Sequence, residues 1–254
     1  MQENELKRYE DIGNWDFSDI KYTTYQETDW NFYDEIKKHS NAFSLLLDLG
    51  TGGGEKALSL LPDVGMIIGT DFSKEMIKTA NQNKEKFPNK KIKFVCMDNL
   101  KMTFPEKLFD LVSARHTMID AKQIYHVLND NGYLIIEGVD KQDCWELKTL
   151  FHRGQAFHDP IAISKIDYEN IKKAGFQKIE MQEIIQYEYY ETKEDLLALL
   201  LKTPILDDFS EMETSKNIHI PSIEKNLFEK YVSTHTTTKG IELKRVLYGI
   251  IARK

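Results

Sequence analysis

A regular alternation of short apolar runs with helix-like segments, beginning at Leu45, is the feature that most constrains the fold. The runs are "LLLDLG", "GMIIGTD", "IKFVCMD", "FDLVSA" and "YLIIEGV". None shows the polar–apolar alternation of a half-exposed strand, so all five are typical of strands buried on both faces. Helix-like segments lie between them, one opening with a Ser73 cap and another, "AKQIYHVLNDNG", expected to stop at Gly132. This alternation predicts an α/β fold with a parallel, doubly wound sheet.

The pattern changes after about Asp140. Helices are predicted at about Cys144–Gln155 and at "DYENIKKAGF", followed by a long strand, "QKIEMQEIIQYEYYE". A helix "KEDLLALLLKT", a polar loop-like segment from Asp207 to Pro221 and a final strand "KRVLYGIIARK" complete the chain. Two late strands with a helical excursion between them predict an antiparallel addition at one edge of the sheet.

Three regions are predicted within the 254 residues. Residues 1–44 form an aromatic-rich arm ending in a helix near Trp30 to His39. Residues 45–254 form the main domain, and residues 191–240 form a cap-like insertion within it. The arm's aromatic side chains, which include Trp15 and Trp30, either dock the arm on the core or cover a ligand, and both interpretations stay open.

Charge and cysteine content narrow the class of protein. The net charge of −7 argues against a broad basic face for nucleic acid, although a local basic groove is compatible with it. Two cysteines, Cys96 and Cys144, are too few for a disulfide framework or a cysteine-based zinc ribbon. The start lacks a signal-peptide core, and the longest apolar run, "LLALLL", is too short to span a bilayer. We therefore expect a cytoplasmic protein without a membrane partner.

The first apolar run leads directly into the glycine-rich stretch Gly50–Gly54. A dinucleotide-binding G-x-G-x-x-G does not fit, because its third glycine would fall at Glu55, and no Gly-Lys-Ser/Thr of a phosphate-binding loop follows. The stretch instead fits the pattern Asp-x-Gly-x-Gly-x-Gly, whose fixed positions are Asp48, Gly50, Gly52 and Gly54. An acidic residue in such a bend repels a pyrophosphate and attracts a cation. The predicted ligand carries an ammonium or a sulfonium, and S-adenosylmethionine carries both.

Two further carboxylates follow successive strands. Asp71 ends the second run, where a carboxylate can accept hydrogen bonds from both hydroxyls of a ribose. Asp98, followed by Asn99, ends the third, where it can meet an adenine amino group. In a parallel sheet these positions share one edge with the glycine loop, so together they predict one nucleoside-binding site.

With these motifs the sequence resembles the class I S-adenosylmethionine-dependent methyltransferases, and within them the type 11 methyltransferases. The resemblance rests on "LLDLGTGGGE", "GTDFSKEMIKTA", "VCMDNLKMTFP", "FDLVSARH" and "LNDNGYLIIEG", between Leu45 and Val139. A largely uncharacterised group among them shares the "WDFS" of Trp15–Ser18, the pair Arg115-His116 and a helix end like "LLLKTPILDDF". The resemblance implies a Rossmann-like, mostly parallel sheet of seven strands with an antiparallel last strand.

It also implies roles for individual residues toward the cofactor. The loop Gly50–Gly54, with Thr51, would pass under the methionine part, and Asp71 would hold the ribose. The residues around the adenine would be Phe72, Met76, Asp98 and Asn99. The stretch from Ala114 through Arg115 to His116 would lie beside the methionine amino group and the departing methyl.

His116 and Glu137 are the candidates for catalysis. His116 is followed four residues later by Asp120. It either acts as a general base, or it has a structural role in which it orients the cofactor or caps the next helix. Glu137 is the second candidate, although the similar group tends to carry an amide at that position. His152, Arg153 and His158 either line a substrate pocket or lie on a solvated helix face. The two histidines, six residues apart, do not share a helix face, so no metal site is expected.

The predicted function is methyl transfer from S-adenosylmethionine to an oxygen or nitrogen acceptor on a small molecule. RNA is the alternative acceptor, with the basic stretch Lys86–Lys93 as its footprint. A non-catalytic cofactor-binding protein is the third hypothesis, and a nicotinamide oxidoreductase a distant fourth. "SARH" replaces the Asn-Pro-Pro-Tyr typical of amide and exocyclic-amine methylation, and no Pro-Cys of a cytosine methylase is present.

Overall fold

The computed structural model describes residues 19–210, 213–214, 217–218 and 222–254. Its strands are β1 (Tyr22–Gln26), β2 (Leu45–Leu49), β3 (Met66–Asp71), β4 (Ile92–Cys96), β5 (Phe109–Arg115), β6 (Leu128–Val139), β7 (Gln177–Tyr190), β8 (Glu213–Thr214), β9 (Asn217–Ile218), β10 (Thr236–Thr237) and β11 (Gly240–Arg253). Its α-helices are α1 (Phe32–Lys38), α2 (Glu55–Ser59), α3 (Lys74–Lys84), α4 (Ala121–Val127), α5 (Trp145–Phe151), α6 (Ile163–Ala174), α7 (Lys193–Lys202) and α8 (Ser222–His235). A 3-10 segment, Pro204–Ser210, follows α7.

One sheet organises the described part of the chain, in the order β1-β7-β11-β6-β5-β2-β3-β4, with β10 paired to β11. The strands from β6 to β4 are parallel, whereas β11 runs antiparallel to both β6 and β7. The predicted doubly wound, Rossmann-like α/β fold is therefore confirmed, including its antiparallel last strand. The seven expected strands, β2–β7 and β11, are all present, and β1 and β10 extend the sheet beyond them.

Helices cover both faces of the sheet because its strands are apolar on both sides. One cluster of buried side chains joins α4 and α6 to the sheet through Ile124 and Ile171, and another joins α1, α2 and α3 to the opposite face. A third cluster lies where α5, α7 and α8 meet the late strands. At about 25 cal/mol per Å² of apolar surface, burial on both faces favours this layered arrangement.

Two predicted helices end earlier in the structure. The helix expected to run to Gly132 stops at Val127, because the carbonyls of His126 and Val127 accept hydrogen bonds from the backbone of Lys107 (3.0 Å) and Leu108 (2.8 Å). Leu128 is then extended and pairs with Phe109 in the sheet. The helix predicted for Cys144–Gln155 spans only Trp145–Phe151, since His152 has a left-handed backbone with φ 52°.

The N-terminal segment joins the sheet at its far edge. Strand β1 pairs antiparallel with β7, and Tyr22 of β1 lies opposite Tyr190 of β7. Helix α1 lies within the range of the helix predicted near Trp30 to His39. A Cβ on Gly249 of β11 would lie 2.5 Å from the Trp30 ring, so this indole packs directly on the sheet. Trp15 and the "WDFS" stretch fall outside the described residues, as does part of the segment from Asp207 to Pro221. The division into arm, main domain and cap stays a prediction.

Candidate cofactor and active site

The predicted site residues lie at the carboxyl ends of the parallel strands. The glycine loop follows β2, Asp71 ends β3, Asp98 follows β4, and Arg115 ends β5. In an open α/β sheet this edge is where ligands bind. The structure thus brings the sequence motifs to one side of the sheet.

Three glycines of the loop have left-handed backbones, with φ of 68° at Gly50, 56° at Gly52 and 78° at Gly54. A Cβ on Gly50 would lie 2.6 Å from the Thr117 side chain, and one on Gly54 would lie 2.7 Å from the Phe94 ring. These two glycines are required for packing within the protein. Gly52 differs, because a Cβ there would meet no atom within 4 Å. Its bare backbone therefore faces a space that a ligand can fill.

Asp71 connects the glycine loop to β3. Its Oδ2 accepts a 3.0 Å hydrogen bond from the backbone N–H of Gly52, and its Oδ1 accepts a 2.9 Å bond from that of Ser73. Burial raises the pKa of Asp71, and the two backbone bonds oppose that rise. Each carboxylate oxygen keeps a second lone pair, which suits the two hydroxyls of a ribose.

Asp48 is the carboxylate directly beneath the loop. It is 8% exposed, and its Oδ1 accepts a 2.7 Å hydrogen bond from the Ser113 hydroxyl on the neighbouring strand. Burial raises the pKa of Asp48 to about 6. The Ser113 and Thr51 hydroxyls and the Arg115 charge act in the opposite direction, because they stabilise the ionised carboxylate. A cation above the loop would offset the cost of this buried charge.

Residues expected around the adenine differ in how they are held. Asn99 is buried, accepts a 2.9 Å hydrogen bond from Thr70 Oγ1 and donates from Nδ2 to Thr117 Oγ1 at 3.3 Å. Asp98 is exposed and closes a turn by accepting from the backbone of Leu100 at 2.9 Å. Phe72 is half-buried, whereas Met76 is only 2% exposed beneath the Ser73 cap. Asn99 therefore braces two loops, and Phe72 is more exposed than Met76.

Arg115, His116 and Glu137 form an ionic cluster at the ends of β5 and β6. Arg115 Nε donates to Glu137 Oε1 at 2.6 Å, and His116 Nε2 lies 3.4 Å from the same oxygen. The β5–β6 register places Arg115 beside Glu137, and the His116 backbone N–H donates to the Glu137 carbonyl at 2.9 Å. His116 itself has a left-handed φ of 51°. Both sequence candidates for catalysis thus meet in one cluster.

Burial and the neighbouring charges together set the pKa values of Glu137 and His116. Burial raises the pKa of Glu137, but the bonds and charges of His116 and Arg115 outweigh it and bring that pKa to about 2. The His116 side chain is 33% exposed, and partial desolvation, together with the Arg115 charge, lowers its pKa despite the Glu137 partner. At neutral pH the cluster therefore contains an ionised Glu137 and an uncharged imidazole.

The charges of the cluster act on two tyrosines of the N-terminal segment, which the sequence did not single out. Tyr33 of α1 is close enough that the charges of Arg115, Asp48 and Glu137 act on its hydroxyl, and burial raises its pKa to about 12. Tyr22 of β1 stacks on Tyr190 with ring centroids 5.2 Å apart, and the Arg115 charge also acts on it. The aromatic richness of the segment was visible in the sequence, but the choice of these two depends on the pairing of β1 with β7.

A second buried network, also not foreseen, lies next to Tyr22, which stacks on its member Tyr190. Arg245 binds Asp143 through Nε (2.8 Å) and Nη2 (3.1 Å), and its Nη1 donates to both oxygens of Glu188 at 3.1 and 3.2 Å. Tyr190 donates to Glu188 Oε2 at 2.5 Å. These partners satisfy the buried charges and fix the wall formed by β7 and β11.

The remaining sequence candidates serve local structure. Asp120 caps α4 by accepting from the backbone of Lys122 and Gln123, and no hydrogen bond joins it to His116 within the described residues. Arg153 pairs with Glu224 of α8 at 2.7 Å. The two other histidines considered for the pocket, His152 and His158, are exposed.

Neither a metal cluster nor a membrane span is found in the ranges that the structure describes. No group of three His, Cys, Asp or Glu side chains there is arranged to hold a metal ion. No helix in the same ranges has the length and apolar content needed to cross a bilayer.

Comparison with known proteins identifies the central part of the chain. Residues 47–136 match the type 11 methyltransferase family, described as "Methyltransferase domain". The uncharacterised methyltransferase YcgJ of Bacillus subtilis (strain 168) is 27% identical over 106 residues, which are 39% of this chain and 42% of YcgJ. The chain thus aligns with less than half the length of this curated relative.

Solved structures share the fold over most of the chain. The YcgJ structure superimposes with a TM-score of 0.54 at 18% identity, covering 87% of this chain and 96% of YcgJ. The [4+2]-cyclase SpnF gives 0.56 at 16% identity, covering 87% and 80%. Phosphoethanolamine N-methyltransferase 2 of Haemonchus contortus, in complex with S-adenosyl-L-methionine, gives 0.51 at 19% identity, covering 89% and 52%.

The family match includes the glycine loop, Asp71 and the end of β5, so the resemblance noted from the motifs is confirmed. Residues 47–136 therefore form a methyltransferase domain of the type 11 family.

Proposed function

We propose that this protein transfers a methyl group from S-adenosylmethionine to an oxygen or nitrogen of a small molecule. The observation that carries the proposal is the open space above Gly52, bordered by the carboxylates Asp48 and Asp71. A cationic nucleoside fits that space, because the glycine backbone permits close approach and the two carboxylates favour positive charge and ribose hydroxyls.

The residues proposed to hold the cofactor are those of the loop and the strand ends. Asp71 would bind the ribose, and Asp48 would face the positively charged methionine part. The other members of the set are Gly50, Thr51, Gly52, Gly54, Phe72, Met76, Asp98, Asn99, Ala114 and Arg115. When bound, S-adenosylmethionine supplies a methyl group already activated by its sulfonium. The chain then has to orient the acceptor and exclude water, which can contribute about 7–11 kcal/mol.

His116 is the residue proposed to accept a proton from a hydroxyl acceptor. With Glu137 Oε1 3.4 Å from Nε2, the tautomer protonated at Nε2 leaves a lone pair on Nδ1. The lowered pKa of His116 keeps the ring uncharged at neutral pH and therefore able to take a proton. An amine acceptor in its neutral form would not need this base, and Glu137 acts by orienting the ring.

Two considerations support a small acceptor over RNA. Residues Lys86–Lys93 lie before and at the amino end of β4, which is at the sheet edge opposite the glycine loop. One of these residues, Lys90, is bound to Asp63 and to the Leu61 carbonyl. The similar Haemonchus contortus enzyme carries phosphoethanolamine, a small molecule, in its name. The acceptor itself does not follow from the fold, because the same fold also carries a protein named as a cyclase.

Cofactor binding is tested first, by calorimetry and thermal unfolding with S-adenosylhomocysteine. Ligand at 100 times its dissociation constant should stabilise the protein by about 2.7 kcal/mol. Asp71→Ala should weaken binding by roughly tenfold or more, since a charged acceptor contributes about 1.5–3 kcal/mol. Asp63→Ala is the matched control, because Asp63 is an exposed carboxylate paired with Lys90. Unchanged affinity in Asp71→Ala would remove the ribose assignment.

Turnover and acceptor class are tested with labelled S-adenosylmethionine and cell extract. Label in the small-molecule fraction supports the proposal, and label in RNA with steep salt dependence supports the alternative. RNA binding through 6–10 phosphates would weaken by about 10³–10⁵ between 50 and 200 mM salt. Tight cofactor binding with no labelled product in any fraction would favour a non-catalytic cofactor-binding protein.

A further inference from the structure

A closed series of short contacts, the Asn99 network, joins the carboxyl ends of β2, β3, β4 and β5. The Thr70 hydroxyl, on β3, donates to Asn99 Oδ1 at 2.9 Å, and Asn99 Nδ2 donates to Thr117 Oγ1 at 3.3 Å. The Thr117 side chain covers Gly50, since a Cβ on that glycine would lie 2.6 Å from Thr117 Cβ. The backbone N–H of Thr51, which follows Gly50, closes the series by donating to the Thr70 carbonyl at 2.9 Å.

Asn99 is the central member of this network and has little access to solvent. Asn99 is 9% exposed and Thr70 is 0% exposed. A buried amide is costly unless it is hydrogen-bonded, so the two threonine hydroxyls fix its orientation, with Oδ1 toward Thr70 and Nδ2 toward Thr117. Thr70 belongs to a buried strand, whereas Thr117 belongs to the loop after β5. The Asn99 amide therefore ties that loop to the sheet.

The loop after β5 has few other attachments close to His116. The His116 backbone N–H donates to the Glu137 carbonyl at 2.9 Å, and its imidazole lies 3.4 Å from Glu137 Oε1. In the part of the chain that the structure describes, residues 117–119 make no backbone–backbone hydrogen bond. Met118 is 50% exposed, and Ile119 packs against the core only in part. Thr117 is therefore the first residue after His116 that fixes the loop.

We propose that Asn99 and Thr117 are positioning residues, which hold His116 at a set place relative to the glycine loop. This inference rests on the proposed function, in which the methyl donor lies above Gly52 and His116 accepts the proton. A misplacement of about 1 Å can lower a rate about 10²-fold. Thr117 contacts the glycine loop at Gly50 and follows His116 directly in the chain. The donor and the base therefore cannot move apart without breaking this contact, and Asn99 acts through Thr117 rather than on the reacting atoms.

The first test follows the His116 imidazole by NMR in the full chain without ligand. Thr117→Val keeps the shape of the side chain and removes the acceptor of Asn99 Nδ2. The His116 signals should therefore shift or broaden, because the imidazole is no longer held in one place. Thr117→Ser keeps the hydroxyl and should keep the wild-type signals. Thr237→Val is the matched control, since its hydroxyl bonds within the β10–β11 hairpin. Wild-type His116 signals in Thr117→Val overturn the proposal.

The same hydrogen bond can be removed from its other end. Asn99→Ala should move the His116 signals in the same direction as Thr117→Val. The double variant should move them no further than the larger single change, because both substitutions break one bond. Additive changes, or unchanged His116 signals in Asn99→Ala, overturn the proposal. The Asn99→Ala measurement alone decides the matter if Thr117→Val does not fold.

Turnover separates a positioning role from a role in cofactor binding. With labelled S-adenosylmethionine and a fixed amount of cell extract, Thr117→Val should lower the rate at saturating cofactor about tenfold or more. The KM for the cofactor should change less than about threefold. An unchanged maximal rate, with or without a raised KM, overturns the positioning role. If the wild-type protein transfers no label, while Thr117→Val disturbs His116 and Thr117→Ser does not, the proposed function fails and the coupling of Thr117 to His116 stands.

Discussion

The backbone N–H of Gly52 donates to Asp71 Oδ2 across 3.0 Å, which joins the glycine loop to the neighbouring strand. The same carboxylate, through Oδ1, also orders the start of α3 by accepting from Ser73. Asp71 thus fixes two backbone segments that border the proposed nucleoside site. The loop and the start of α3 are therefore held by the same carboxylate that is proposed to bind the ribose.

The first prediction concerns Gly52, where the left-handed backbone and the open space above it coincide. Gly52→Ala should lower the free energy of unfolding by roughly 1 kcal/mol, because a Cβ in this conformation is strained. It should also weaken S-adenosylhomocysteine binding at least tenfold in calorimetry, since the Cβ enters the ligand space. Gly53→Ala is the control, because Gly53 lacks a positive φ and the atoms nearest to its Cβ would belong to the exposed Glu55 carboxylate, which can move aside. Normal affinity in Gly52→Ala would place the ligand elsewhere.

The second prediction concerns Asp48, whose pKa rises from 3.8 in the unfolded chain to about 6 in the folded one. The folded state holds the proton more tightly, so the stability contributed by this group falls as the pH rises from about 4 to about 6. Asp48→Asn should therefore stabilise the ligand-free protein above pH 6 by at most about 3 kcal/mol, and by nothing below about pH 4. Urea unfolding across that range measures the difference.

Cofactor affinity should fall in the same Asp48→Asn variant, because the buried negative charge facing the cation is lost. Ser113→Ala is the comparison, since it keeps the charge and removes the 2.7 Å hydrogen bond. An Asp48→Asn variant that is destabilised at pH 7 and binds the cofactor normally would contradict the role given to Asp48.

The third prediction concerns the titration of His116. Its imidazole should titrate below 6.5, because burial and the Arg115 charge disfavour the imidazolium. Glu137→Gln should lower this pKa further, since the carboxylate is the partner that favours the charged ring. NMR of the ring protons measures both values without knowledge of the acceptor. Glu146→Gln, which removes the partner of His235 at 2.8 Å, should leave His116 unchanged. A pKa above 6.5 would argue against a neutral base.

The fourth prediction concerns the contact between Trp30 and Gly249. Gly249→Ala should lower the free energy of unfolding by about 1–3 kcal/mol, because its Cβ would overlap the indole. In a Trp30→Ala background the same change should cost almost nothing, so a double-mutant cycle should report strong coupling. Additive effects would show that α1 is held by Phe32 and Ile36 alone, both of which are buried.

The sequence predicts one part of this site well, namely Asp48, Asp71 and the glycines between them. Their role in a ligand site could be predicted because the carboxyl ends of buried parallel strands lie at one edge of the sheet. The glycines that complete the site follow the first of these strands directly in the sequence. Tyr22, Tyr33 and the Arg245 network could not be predicted, because their positions depend on pairings between segments far apart in the sequence, such as Tyr22 with Tyr190 and Arg245 with Asp143. The end of α4 was mispredicted for the same kind of reason, since hydrogen bonds from Lys107 and Leu108, outside the helix, end it at Val127.

The pairing of β1 with β7, and the packing of Trp30 on β11, have a consequence for biosynthesis. A ribosome makes β1 before β7 and β11, so Tyr22 cannot meet Tyr190, nor Trp30 meet Gly249, until some 160 to 220 further residues have been joined. The glycine loop and its strands can form while translation continues, but the docking of β1 on β7 and of Trp30 on β11 has to wait. A nascent chain released before β11 is made would therefore have the proposed cofactor loop without the N-terminal segment in its place on the sheet.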